Sequence, residues 1–453
     1  MEDNIPKLFG TSGIRGKYQQ EVTLELALDV ARALAKYIGG HGKTVVIGRD
    51  TRTTGKIIEN VMIAGLMQSG CNVLSLGMVP TPTVGYATIK KNADAGIMIT
   101  ASHNPSPYNG IKLWNADGSA YKQHQEHEIE KIVYERDFNI LGWDEIGEVY
   151  DISSFCDEYV DAIIEASGID SSKPLKVVLD AASGAGSYLS PEAIRKSGME
   201  LITLNCQPDG FFPGRNPEPN ADNLVELMKT VKATGADIGI AHDGDADRMI
   251  AIDEEGNISD FDKLLTIMAK EFGGVVVTTV DASACLDTQM KKLGGSVLRT
   301  PVGDVHVAES IVDNNATFGG EPSGTWIHPD FCMCPDGLLS ALRIIAAVQK
   351  NGKLSKQLAD IESYPTLRLK VTCQNDRKAA VMDEVSQHFS EKFTNIAEIL
   401  TIDGVRVQFD DDSWVLIRPS GTEPYIRITA EAKTQQLLDE IGKISSDFLD
   451  NLI

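Results

Sequence analysis

No stretch of this 453-residue chain approaches the roughly 18 consecutive apolar residues of a membrane-crossing helix, so no span is expected. The amino terminus, Met1-Glu-Asp-Asn, is acidic and has no apolar core, which argues against a secretory leader. Positive charge is also scarce. With 42 Lys and Arg against 65 Asp and Glu the formal charge is −23, so neither nucleic acid nor an anionic membrane surface is an expected partner. The seven cysteines are scattered and odd in number, which makes no disulfide framework and fits reduced thiols in a cytoplasmic protein. Cys332-Met-Cys334 offers two metal ligands without a second pair, so its expected role is packing. The composition, 42% hydrophobic and 24% charged, is that of an ordinary globular protein, and the length calls for two to four domains.

The shortage of cations sharpens the search for a site. An anionic substrate would have to be bound by a few local positive groups set against the overall field. Arg15, Lys112, Arg248, Arg418 and Arg427 all fall inside glycine-rich motifs.

The first three-quarters of the chain alternates strands and helices. Residues 21–38 place apolar side chains at helical spacing, 43–50 read as a buried strand, 57–69 as a helix ended by Gly70, and 72–76 as the next strand. The theme of an apolar strand ending at an Asp, then small residues, then a helix returns at 175–180 and 275–281. The expected fold class is therefore α/β, with three related α/β domains having mixed sheets. The last ninety residues differ. Strands at 366–372, 405–409, 414–418 and 425–430, with helices at 376–393 and 434–449, predict a small α+β domain with an antiparallel sheet. The expected division is 1–151, 152–253, 254–364 and 365–453.

Chemistry concentrates in four loops. Thr100-Ala-Ser-His-Asn-Pro105 follows a Val/Ile-rich strand, which puts Ser102 where open α/β sheets bind ligands. Its neighbours Ala101 and His103 are not those of a hydrolase elbow, whereas Asn104, Asn109, Gly110 and Lys112 supply donors for a phosphate. Asp243, Asp245 and Asp247 alternate, so their carboxylates can converge on a hard divalent cation. An EF-hand is excluded because its sixth position, which needs Gly, holds Arg248. Three carboxylates with one phosphate oxygen would suit Mg²⁺. Arg418-Pro-Ser-Gly-Thr422 offers a guanidinium, the hydroxyls of Ser420 and Thr422, and the Gly421 amide, a complete anion site to which Arg427 could add charge. In Gly319-Gly-Glu-Pro-Ser-Gly-Thr325, Glu321 and Ser323 suit sugar hydroxyls. Gly39-Gly-His-Gly-Lys-Thr44 fails as a Walker motif because Tyr37 replaces its first Gly, and Gly184-Ala-Gly186 lacks the third Gly of a dinucleotide fingerprint.

These motifs, with Leu8-Phe-Gly-Thr-Ser-Gly-Ile-Arg-Gly16, Gly48-Arg-Asp-Thr-Arg52 and Asn216-Pro-Glu-Pro219, make the chain similar over essentially its whole length to the α-D-phosphohexomutases. The resemblance is strongest to their archaeal phosphoglucosamine branch. It implies four domains around a central active-site cleft, a phosphoserine at Ser102, and Mg²⁺ held by that phosphate with Asp243, Asp245 and Asp247. It further implies Arg15, His103, Lys112 and Arg248 around the reacting group, and sugar recognition by Glu321 and Ser323. Arg418, Ser420, Gly421, Thr422 and Arg427 would clamp the distal phosphate. The implied activity interconverts glucosamine 6-phosphate and glucosamine 1-phosphate through a bisphosphorylated sugar. The alternatives are a phosphomannomutase/phosphoglucomutase or a Mg²⁺-dependent sugar phosphatase. The expected partners are small hexose phosphates, and a homo-oligomer is compatible with this reading. Many members carry His after the Ser-Gly of the sugar loop where this chain has Thr325, and His328 lies three residues on.

Overall fold

A computed structural model describes residues 7–10, 12–420 and 424–453. Four sheets organise it. The first orders its six strands as Ile14–Lys17, Tyr108–Asn115, Ala95–Ile99, Thr44–Arg49, Asn72–Met78 and Val149–Asp151. The second is Met249–Ile252, Ile238–His242, Lys176–Asp180 and Glu200–Leu204. The third is Ser296–Thr300, Val275–Thr279, Phe318–Gly320, Trp326–His328 and Cys332–Pro335. The last, wholly antiparallel, is Thr366–Thr372, Tyr425–Glu431, Trp414–Pro419, Val405–Phe409 and Ile396–Leu400.

The first three sheets repeat one pattern. A central strand (Thr44–Arg49, Lys176–Asp180 or Val275–Thr279) pairs in parallel with a neighbour on each side, and a fourth strand then turns back antiparallel. These central strands are apolar and buried, as strands covered on both faces must be. The loop between the third strand and the returning one holds Ser102 in the first unit, Asp243, Asp245 and Asp247 in the second, and Glu321 and Ser323 in the third. Three chemically different loops are thus one topological position used three times.

Two of the three central strands run into a buried ion pair. Arg52 meets Asp50 at 3.0 Å, and Arg215 meets Asp180 at 2.9 Å. In the third unit the arginine comes instead from the last domain: Arg406 donates to the backbone carbonyls of Val280 and Ala282, just past the central strand. Arg406 is 1% exposed and its guanidinium lies 3.9 Å from the Trp414 ring centre, a cation–π contact. Glu431 ties the same joint by accepting from the Ala284 N–H and the Trp414 indole.

The antiparallel sheet has five strands, one more than its sequence pattern indicates: Ile396–Leu400 is a largely exposed edge. The expected helix over 376–393 is shorter, Lys378–His388, and gives way to the 3₁₀ turn Ser390–Lys392. All seven cysteines are free thiols. Cys332 and Cys334 are buried, and Cys334 packs so close to Gly85 of the first unit that a Cβ there would lie 2.6 Å away. Among the described residues no helix is long and apolar enough to cross a membrane.

Candidate active site

Ser102 stands at the joint of the first two units. Its residue is 1% exposed and its backbone takes φ 49°, the left-handed region that an L-residue occupies only when its surroundings impose it. The hydroxyl donates to Asp243 Oδ2 at 2.7 Å and lies 3.3 Å from His103 Nδ1. Gly244 is obligatory here, since a Cβ on it would fall 2.5 Å from the Ser102 carbonyl oxygen.

The three aspartates of the second unit are buried and offer carboxylate oxygens within 4.8 Å of one another. Asp243 accepts on both oxygens, from the Ser102 hydroxyl and the Arg248 N–H, whereas the other two are held from one side. Asp245 Oδ2 accepts from the Thr81 hydroxyl at 2.5 Å and from Lys112 Nζ at 2.9 Å, and Asp247 Oδ2 accepts from Lys112 at 2.6 Å. Their other oxygens, Asp245 Oδ1 and Asp247 Oδ1, are buried without a hydrogen-bond partner. Buried acceptors of this kind are costly unless something satisfies them. Three convergent carboxylates, two of them with an orphaned oxygen, beside a serine hydroxyl fit a hard, oxygen-seeking cation such as Mg²⁺.

The charges are set by burial and by one another. Burial, with Asp247 and Asp245 close by, pushes the Asp243 carboxyl well above the usual range. Burial also works to raise Asp245, but Lys112 and the Thr81 hydroxyl overcome it and hold that group low. Desolvation disfavours the Lys112 ammonium, and Asp245 with Asp247 outweighs it, so the net shift is upward. Arg248, burial and Arg15 drive His103 down to about 2, which keeps the imidazole neutral in the unmodified protein. Arg15, on the strand paired with Tyr108–Asn115, is shifted down by burial against the opposing pull of Asp245 and Asp247.

The third unit joins through its backbone. Arg248 forms an isolated antiparallel bridge with Thr325, and the Met249 N–H donates to the Gly324 carbonyl. This sets the loop of Glu321 and Ser323 against the aspartate loop. The Ser323 hydroxyl donates to Glu321 Oε2 at 3.1 Å and lies 3.0 Å from the Thr325 hydroxyl. Burial, with Asp304 nearby, pushes Glu321 up to about 7. His328 is not at this site. It is fully buried, with Ser340 at 2.8 Å on Nε2 and Arg343 at 2.9 Å on Nδ1, and burial holds it neutral.

A cavity of about 310 Å³ lies between that loop and the last domain, lined by Glu321, Ser323, Asp281, Arg418, Arg427 and, unannounced by any sequence motif, Arg368 and Lys370. In the antiparallel sheet Lys370 is directly opposite Arg427, and Arg427 directly opposite Arg418. Opposed like charges repel, so an anion crossing this row relieves it. Asp403 already serves Arg418 at 2.9 Å. Ser420 is buried nearby at 5% exposure, whereas Gly421 and Thr422 lie outside the described residues. Alternation in Thr366-Leu-Arg-Leu-Lys370 puts Arg368 and Lys370 on one face, but nothing in the sequence says which strand lies beside them.

Three units whose equivalent loops bring together a serine, a carboxylate triplet and a polar carboxylate loop, with a cationic row on the sheet of a fourth, define a sugar-phosphate or related phosphoryl-transfer site. Models of the phosphoglucomutase/phosphomannomutase family match the chain throughout: alpha/beta/alpha domain I at 6–140, domain II at 157–256, domain III at 260–364 and the C-terminal domain at 369–443. The chain belongs to that family. It is 76% identical over 450 residues to a probable phosphoglucosamine mutase of Methanosphaera stadtmanae, covering 99% of this chain and 100% of that one. It is 55% identical over 453 residues to a protein of the same name from Methanothermobacter thermautotrophicus, with full coverage of both. Among solved structures, a phosphoglucomutase/phosphomannomutase family protein of Burkholderia thailandensis superposes with a TM-score of 0.88 at 27% identity, over 98% of this chain and 97% of that one.

Proposed function

We propose that this chain interconverts glucosamine 6-phosphate and glucosamine 1-phosphate in the cytoplasm, through a phosphoserine at Ser102 and a bisphosphorylated sugar. The observation that carries the reading is the buried Ser102 hydroxyl bound at 2.7 Å to an aspartate of the triplet. Its support in sequence is the full-length identity to proteins named for that activity. The units are taken to divide at 151/152, 253/254 and 364/365.

Phosphoryl transfer demands mainly positioning and neutralisation of charge. Asp243, Asp245 and Asp247, with a phosphate oxygen on Ser102, would hold one Mg²⁺, which when bound would neutralise charge on the phosphoryl group. Lys112 and Arg15 add fixed positive charge beside the same group. His103, neutral, can share a hydrogen bond with the serine oxygen, and Arg248 links the aspartate loop to the sugar loop. The P–O bond to Ser102 Oγ breaks as one forms to the free sugar hydroxyl oxygen, and the proton that hydroxyl loses ends, directly or by way of solvent, on Ser102 Oγ. The bisphosphate then turns over, and the reverse transfer returns its other phosphoryl group to Ser102.

Glu321 and Ser323 would hold sugar hydroxyls or a 2-amino group. Arg418, Ser420, Gly421, Thr422 and Arg427 would hold the distal phosphate. Since either end of the sugar must sit in that distal position, a row of cations that reads phosphate suits it better than contacts that read one sugar face. The test is kcat/KM for glucosamine, glucose and mannose 6-phosphates under one set of conditions. Glucosamine 6-phosphate is expected to lead, and a lead of about tenfold (about 1.4 kcal/mol) for another sugar would overturn the hexosamine assignment. Free phosphate released in place of isomerised sugar would point to a phosphatase.

A further inference from the structure

We propose that Arg52 is a positioning residue for phosphoryl transfer: its guanidinium, anchored by Asp50, is the template on which the Ser102 loop takes its shape. The proposal rests on Ser102 carrying the phosphoryl group.

The Arg52 side chain has no exposed surface. A guanidinium has five N–H donors in a fixed fork, and here every one is used. Nε donates to Asp50 Oδ2 at 3.0 Å. Nη1 donates to the carbonyls of Pro105 and Tyr108, both at 2.8 Å. Nη2 donates to the carbonyls of Ser102 at 2.9 Å and Asn104 at 2.6 Å. Three carbonyls of one irregular loop, and that of Tyr108 where the next strand begins, therefore converge on one side chain. That loop contains Pro105 and Pro107, so regular secondary structure cannot satisfy its backbone, and buried carbonyls need partners.

The network grips the reacting residue from both ends. The Ser102 carbonyl is held by Arg52, and the Ser102 N–H donates to the Thr100 hydroxyl at 2.8 Å. Thr100 in turn donates to Asp50 Oδ2 at 2.6 Å. With both peptide groups fixed, Ser102 is kept in its left-handed conformation and its hydroxyl aimed at Asp243. The peptide after Ser102 is trans, so the His103 N–H points opposite to the carbonyl that faces Arg52. Among the described residues that N–H makes no hydrogen bond, which leaves a donor uncommitted beside the serine.

The second unit closes over the template. The Phe212 ring centre lies 5.2 Å from the guanidinium carbon, and Gly210 packs so tightly on residues 51–53 that a Cβ would fall 2.5 Å from the Thr51 carbonyl oxygen. The side chain that shapes the serine loop is thus covered by the unit that carries the aspartates. Its placement ties the two halves of the reacting constellation to each other.

The experiment is Arg52→Lys in the full chain, with Ser102→Ala in parallel. Lysine keeps the charge beside Asp50 but has three donors on one nitrogen, so it must abandon at least two of the loop carbonyls. The folded variant should lose about 100-fold in kcat, as a roughly 1 Å misplacement of a reacting group does. Its KM for the hexose phosphate should stay within about threefold, and single-turnover transfer from the phosphorylated enzyme should slow as much as kcat. A kcat within about threefold of wild type, or a loss confined to KM, would overturn the proposal. If Arg52→Lys does not fold, Thr100→Val decides. It removes the hydroxyl between Ser102 and Asp50 at nearly constant shape, and an unchanged kcat there refutes the template. Mutase turnover persisting in Ser102→Ala would refute the phosphoserine itself. An inactive Ser102→Ala beside an unimpaired Arg52→Lys would refute only the positioning role.

Discussion

Replacing Lys112 with methionine probes the electrostatics of the cluster directly. Its Nζ lies 2.9 Å from Asp245 Oδ2 and 2.6 Å from Asp247 Oδ2, with the lysine side chain only 4% exposed. At an effective dielectric of about 20 each contact is worth about 6 kcal/mol in gross Coulomb energy. Most of that is offset by the cost of taking the ions out of water, and removing one partner of a buried pair usually costs about 3–5 kcal/mol. Lys112→Met should therefore lose about 3–5 kcal/mol in urea unfolding at neutral pH in EDTA. Trp114, two residues along the same strand and 1% exposed, can serve as a fluorescent reporter. Lys112 and Mg²⁺ would neutralise the same carboxylates, so the variant should gain more from added Mg²⁺ than the wild type gains. A loss under about 1 kcal/mol in EDTA, or one untouched by Mg²⁺, would refute this account of what the lysine does.

Ser102→Ala should abolish mutase turnover and, by intact mass, lack the single phosphate expected on the wild type; appreciable turnover would sink the covalent route. Glu321 is raised to about 7 from an ordinary 4.5, so the native state holds that proton more tightly than the unfolded chain and stability falls as pH rises across that window. Glu321→Gln removes this slope: it should be more stable than wild type near pH 8, with the difference fading below about pH 4.5, and a pH-independent difference would contradict the assignment. If Arg418 holds the distal phosphate as proposed, Arg418→Ala should cost about 2–4 kcal/mol in kcat/KM with every hexose phosphate tested. A defect confined to one sugar would reassign the residue.

Much of this architecture is legible in the sequence because its signals are local. The strands Thr366–Thr372 and Val405–Phe409 coincide with the alternating segments that announce them. The helix Leu24–Ile38 begins after Thr23, whose hydroxyl accepts from the Leu26 N–H. Ile396–Leu400 escapes notice because Ile-Ala-Glu-Ile-Leu has no strict alternation and its placement comes from pairing with Val405–Phe409. The serine and aspartate motifs stand out as residue types at short spacing, but what arranges them does not. Thr81 reaches Asp245 across 164 positions, and Arg52 reaches four carbonyls 50 to 56 residues away. Lys370 meets Arg427 only through strand order. His328 illustrates the converse: three residues from Thr325 in sequence, it faces a different interior, because the turn into its strand points it at Ser340 and Arg343.

Arg406 bears on how far such a protein can be treated as interchangeable parts. The boundary before the last domain is the easiest to draw, since the architecture changes class there. Yet the third unit does not end its own central strand; the carbonyls of Val280 and Ala282 and the N–H of Ala284 are completed by Arg406 and Glu431 from beyond that boundary. A chain truncated there would leave those backbone groups without their partners. Likewise, a chimera that grafts a foreign last domain must bring an arginine and a carboxylate to the same points. The most visible seam in the sequence is one across which the third unit remains unfinished on its own.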